Sequence, residues 1–181
     1  MSALPSHVLR LSDLRNRRGT EVSLSPTPEE RAAVAEALGI LAVRKLTFTG
    51  RIAPVGAADW QLTGDLGATV VQECVATLDP VTSRIDERVQ RTYARDFAYP
   101  EGGAETEMPE DDSVEPLPAT IDVAAVMIEA LSLALPAFPR ADGAKVGQVL
   151  AAEEGVDPMT DEDAKPFAGL AALRDKLAKD D

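Results

Sequence analysis

One cysteine, one histidine and one tryptophan are spread over 181 residues, and each scarcity excludes something. Cys74 has no partner for an internal disulfide, which agrees with a reducing compartment. One Cys and one His fall short of the four N/S ligands of a structural zinc, so no metal is expected. No phosphate loop, dinucleotide fingerprint or His-Glu-x-x-His stretch occurs, so neither a cofactor nor a small-molecule substrate is expected. Aromatics make up 4% of the chain, which leaves the core to Leu, Val, Ile and Ala. No apolar run approaches the roughly 18 residues of a membrane span. The start Met-Ser-Ala-Leu-Pro has neither the basic nor the apolar region of a signal peptide. The expectation is a cytoplasmic protein with no membrane partner.

The net charge of −13 is unevenly divided. Residues 1–98 carry 12 Lys and Arg against 12 Asp and Glu, whereas residues 99–181 carry 6 against 19. A phosphate backbone is therefore not repelled by the N-terminal half, because separated charges act locally beyond a Debye length of about 8 Å.

Along the chain, His7–Leu11 and Thr20–Leu24 read as strands. The basic cluster between them contains Arg15, Arg17 and Arg18. Such a cluster is either a solvated turn or a phosphate contact. Thr27 as cap, Pro28 in the first turn, and Glu29 and Glu30 at the positive end of the dipole start a helix that runs to about Leu38. From Val43 to Ala53, alternation sends Leu46, Phe48 and Ile52 inward and sets Val43, Lys45, Thr47, Thr49 and Arg51 on the other face. A long strand from Trp60 to Val75 follows, with Gly64 read as a bulge or kink. Asp79-Pro80 turns the chain into Ser83–Ala98. There a period of two puts Ile85, Val89, Tyr93 and Phe97 on one face with Glu87, Arg91 and Arg95, while a period of 3.6 gives a stripe of Arg84, Arg88, Arg91 and Arg95. The β-rich composition and the preceding turn favour a strand.

Residues 99–118 hold seven Asp and Glu, no Lys or Arg, and several Gly and Pro. That composition predicts a mobile acidic loop, 100–118. Asp122 caps the next helix, from about 122 to 135, and Pro136 stops it. Its apolar residues extend almost all round, which predicts burial on most sides. Residues 141–181 read as a poorly ordered tail with a short amphipathic helix at 166–178, where Phe167, Leu170, Leu173 and Leu177 form a stripe. The expected fold is α+β: a mainly antiparallel, strongly bent, barrel-like sheet with one buried helix and one short one. Residues 1–140 are expected to form a single domain.

No residue set reads as catalytic. A thiolate nucleophile needs an adjacent base, and nothing in the sequence brings His7 to Cys74, so Cys74 reads as a small core residue. Glu129 sits within an apolar helix and, if buried, needs a partner such as Arg91 or Arg95.

Two short motifs carry a resemblance. Cys74, Leu78, Pro80 and Val81 match a Cys-x-Arg-Cys-Leu-x-Pro-Val turn, with Ala76 and Thr77 standing where that pattern has arginine and its second cysteine. Leu133, Ala134, Leu135 and Pro136 match a late Leu-Ala-Leu-Pro helix end, and Glu129 stands where the pattern has a glutamate. With the acidic stretch between them, they make the chain resemble the YceD family, domain of unknown function 177, over roughly residues 64–140. The resemblance implies a role in accumulation or processing of large-subunit (23S) ribosomal RNA, strand structure after the turn, and no catalytic residues. It points to a non-enzymatic ribosome-biogenesis factor that touches pre-ribosomal RNA, with Arg15, Arg17, Arg18, Arg84 and Arg88 as candidate contacts. The alternative is an acidic adaptor or holdase for a basic large-subunit ribosomal protein.

Overall fold

In chain order the elements are β1 (Val8–Arg10), a 3-10 turn (Leu11–Asp13), β2 (Thr20–Leu24), α1 (Pro28–Ala37), β3 (Ala42–Val55), β4 (Asp59–Glu73), β5 (Pro80–Ala94), β6 (Val114–Pro116), β7 (Thr120–Asp122) and α2 (Val123–Ala134). The computed structural model describes residues 3–14, 19–97 and 114–144. The chain divides into Met1–Asp142 and Gly143–Asp181, and every described element belongs to the first unit. The Arg15–Arg18 cluster, most of the acidic stretch and the amphipathic segment at 166–178 lie outside the described residues.

Three long antiparallel strands carry the fold. β4 lies between β3 and β5 and pairs with both along nearly its whole length. β2 adds antiparallel to β3, and β6 adds parallel to β5 through Thr92–Ala94. β1 and β7 form a separate antiparallel pair. Alternation puts Leu46, Phe48, Ile52, Leu62, Leu66, Ala68, Val70, Ile85, Val89 and Tyr93 on one face, where they share a core with Val34 and Ala35 of α1 and Val123, Met127 and Leu131 of α2.

The helices begin where their capping chemistry starts them. Thr27 and Glu30 form a reciprocal box: the Thr27 N–H donates to Glu30 Oε2 at 2.7 Å, and the Glu30 N–H to Thr27 Oγ1 at 3.3 Å. Gly39, at φ +64°, follows the end of α1 in the left-handed region that a side chain avoids. Asp122 caps α2, accepting from the Ala124 N–H at 3.0 Å. One side of α2 faces water at Ala125, Glu129, Ser132 and Leu133, so the helix is less enclosed than its hydropathy implies.

The barrel-like, strongly bent sheet expected from the sequence is corrected. The strands run in the open order β2-β3-β4-β5-β6, and the last pairing is parallel, so the sheet is mixed. Closure would require the two outer strands to pair, and they are five and three residues long. Nor does Gly64 form a bulge in β4, because the register runs unbroken through Gly50↔Gly64 and Gly64↔Val89. The absent side chain instead admits the Phe48 ring, whose Cζ would lie 2.5 Å from a Cβ at Gly64. The register shift lies in β3, between Val43 and Lys45, and corrects the expected alternation there: the extra residue turns Val43 into the core instead of onto the face of Lys45.

Candidate functional site

Two regions gather the residues singled out above. The first is the sheet face turned away from the helices. β3 presents Lys45, Thr47, Thr49 and Arg51 there, β4 presents Thr63, Asp65 and Thr69, and β5 presents Arg84, Asp86, Arg88, Gln90 and Thr92. Lys45, Arg51, Arg84 and Arg88 are exposed. Arg84 Nε donates to Asp86 Oδ2 at 2.8 Å, and this pair raises the arginine pKa and lowers that of the carboxyl. Arg51 lies 3.6 Å from Glu21, and Arg88 stands opposite Asp65 in the ladder. Exposed pairs of this kind contribute little stability, so a phosphate can replace the carboxylate at small cost.

At the β3–β4 hairpin end, Leu14 lines a cleft with Pro54, Asp59, Trp60 and Arg95. Gly19 packs against Arg51. The flanks of the Arg15–Arg18 cluster are thus placed at this end, although the cluster itself is not described.

The second region is the opposite end of the sheet, where the two short motifs meet. The Cys74 N–H donates to the Asp79 carbonyl at 2.8 Å and the Leu78 N–H to the Cys74 carbonyl at 2.9 Å. The Val75 N–H donates to the Pro139 carbonyl at 2.9 Å, Gln72 Nε2 to the Pro136 carbonyl at 3.1 Å, and the Ala141 N–H to Cys74 Sγ at 3.3 Å. Cys74 is fully buried. The Thr77 hydroxyl, followed by the Ala141 and Ala76 N–H groups, holds its thiol down at about 7. Through these bonds the cysteine is a hub of the turn. Pro80 and Val81 start β5, Val81 opposite Gln72. Sequence reasoning missed the roles of Gln72, Val75 and Ala141, because bonds between segments more than 60 residues apart leave no local signal.

Glu129 does find Arg91. Alternation places Arg91 on the helix-covered face, where it pairs with Glu129 and lies 3.3 Å from Glu115 of β6. Its side chain is 16% exposed, and two carboxylates answer its single charge. Leu133 is 75% exposed and takes no part in the core. Among the described residues no group of three His, Cys, Asp or Glu could hold a metal ion, and no helix is long and apolar enough to cross a membrane.

Residues 62–174 match the family model described as Large ribosomal RNA subunit accumulation protein YceD. The chain belongs to the YceD family. Its role is that of a non-catalytic factor in ribosome biogenesis, supporting accumulation of large-subunit ribosomal RNA. The YceD match spans β4, β5 and α2, and so contains both motif segments and the Arg91–Glu129 pair. β1, β2, α1 and β3 precede it. No curated protein and no solved structure matches the chain.

Proposed function

We propose that the protein acts in the cytoplasm by holding pre-ribosomal RNA against the sheet face turned away from α1 and α2 and the hairpin end beside it. Lys45, Arg51, Arg84 and Arg88 would contact phosphates there, joined by Arg15, Arg17 and Arg18. The observation that carries this reading is the composition of that face: four exposed basic side chains set among threonines, in the half of the chain whose net charge is zero. Phosphate oxygens and ribose hydroxyls are the groups that arginine, lysine and threonine recognise. No aromatic side chain from β3, β4 or β5 joins that face, so base stacking is not offered, and binding should tolerate sequence changes.

The test is purification from lysed cells with and without ribonuclease, combined with the double change Arg84→Ala, Arg88→Ala. RNA recognition predicts loss of large-subunit association after nuclease and weaker association in the double variant. Association that survives nuclease and ignores both changes would assign the contact to a basic ribosomal protein instead.

A further inference from the structure

The end of the sheet opposite the hairpin is chemically different. It lies roughly 50 Å away, taking about 3.3 Å for each of the 15 residues of β4. Apolar side chains come to the surface there: Leu41 and Val75 are about half exposed, Leu78 is 70% exposed and Phe138 79%. Leu41, Val75 and Pro139 line one groove with Glu73 at its side.

Leu78 is unusual in a second respect. Its φ is +64°, the left-handed region in which an L side chain crowds its own backbone. Glycine or asparagine is the ordinary occupant of such a position. Here a leucine bears the strain and gains no burial in return. The hydrogen bonds from Cys74, Leu78, Val75 and Gln72 described above fix the turn in this shape. A strained conformation enforced by its surroundings marks functional sites, and an apolar group already held in place loses little freedom on binding.

We propose that this end is a docking site for a basic protein segment with apolar anchor residues, seated on Leu78, Phe138 and the Leu41–Val75 groove. Charge selects this occupant. Among the described residues, the exposed carboxylates of Glu36, Glu73, Asp79 and Asp142 outnumber the bases Arg44 and Arg140. A second copy would bring the same carboxylates, on a chain of net charge −13, face to face. A nucleic acid would meet carboxylates and a single aromatic ring.

The test uses the full chain and three short synthetic peptides, of alternating lysine and leucine, lysine and serine, and glutamate and leucine, followed by fluorescence anisotropy. The lysine–leucine peptide should bind and the other two should not. Leu78→Gly should weaken that binding by about tenfold or more, as loss of an interface anchor does. Glycine accepts φ +64° without strain, so this variant should keep its thermal midpoint, and its loss of binding then reports the missing side chain. In cells, Phe138→p-benzoylphenylalanine should cross-link on irradiation to a protein rich in lysine and arginine, with the adduct surviving ribonuclease. Equal binding of the lysine–leucine and lysine–serine peptides would overturn the proposal. So would unchanged binding by Leu78→Gly, a cross-link to a second copy, or an adduct destroyed by ribonuclease.

Discussion

Asp122 ties two parts of the chain together with one carboxylate. It caps α2 through the Ala124 and Ala125 N–H groups and accepts from the His7 N–H at 2.8 Å and the Ser6 hydroxyl at 2.7 Å, holding the N-terminal strand to the helix. Burial opposes its ionisation, but these donors outweigh burial and pull its pKa below the usual value of 3.8. A carboxyl with a folded-state pKa below its unfolded one contributes fully above the unfolded value and loses that contribution as pH falls through the folded one. Asp122→Ala should therefore cost about 1–2 kcal/mol near neutrality, the usual loss of a helix cap. The difference from the parent should shrink below about pH 4, as denaturant midpoints measured across pH will show; a pH-independent difference would mean that charge plays no part. Gly64 tests packing at the same scale. A methyl group there meets the fully buried Phe48 ring, so Gly64→Ala should destabilise by about 1–3 kcal/mol, the range for overpacking. Adding Phe48→Leu should make the pair of changes less costly than the sum of the two singles. Strict additivity in urea unfolding would show that the ring is not what fills the glycine's place.

At the scale of elements, α2 is the lid of the core, and Leu131 is one of its fully buried side chains. Leu131→Ala should cost about 2–5 kcal/mol, the range for emptying a leucine site, whereas Leu133→Ala, at an exposed position, should leave the urea midpoint almost unchanged. Equal effects would mean that the helix is turned differently. The long elements were legible because each repeats its pattern many times: β3 alternates from Lys45 to Ile52, and Thr27, Pro28 and Glu30 announce α1 with three independent signals. β6 and β7 were not, being three residues each, too short to alternate, and Thr120–Asp122 reads equally well as the approach to a cap. The sheet's openness was hidden for the same reason, since it depends on how short the outer strands are. Hydropathy overstated the burial of α2 because composition does not say which side a neighbour covers. At the site, the Arg91–Glu129 pair could be inferred from two charges lying on apolar faces. The meeting of Gln72 with Pro136 and of Val75 with Pro139 could not, because backbone carbonyls carry no residue signature.

For the molecule as a whole, charge is segregated along the chain, and the RNA reading makes that segregation consequential. Residues 1–98 are neutral in sum and residues 99–181 carry the entire −13. On that reading an RNA approaching the face turned away from α1 and α2 would feel attraction from the arginines and repulsion from the acidic residues that follow β5 in sequence. Each phosphate contact adds about 0.7–0.9 to the slope of log affinity against log salt, through counterion release. The triple change Arg15→Ala, Arg17→Ala, Arg18→Ala should thus weaken binding to 23S fragments and flatten the slope by about two units if all three contact phosphate. Converting Glu101, Glu105, Glu107, Glu110, Asp111 and Asp112 to amides should act in the opposite sense, strengthening binding to arbitrary RNA at low salt. Glu115 is left out because it neighbours Arg91 and its loss would disturb the fold. The gain should fade as salt rises, since at molar ionic strength the Debye length falls to about 3 Å and charges farther apart than that are screened from one another. Filter binding over a salt series separates the cases. If the arginine changes leave both affinity and slope alone while the amide changes abolish association with the large subunit, the acidic residues are the contact and their partner is a basic protein.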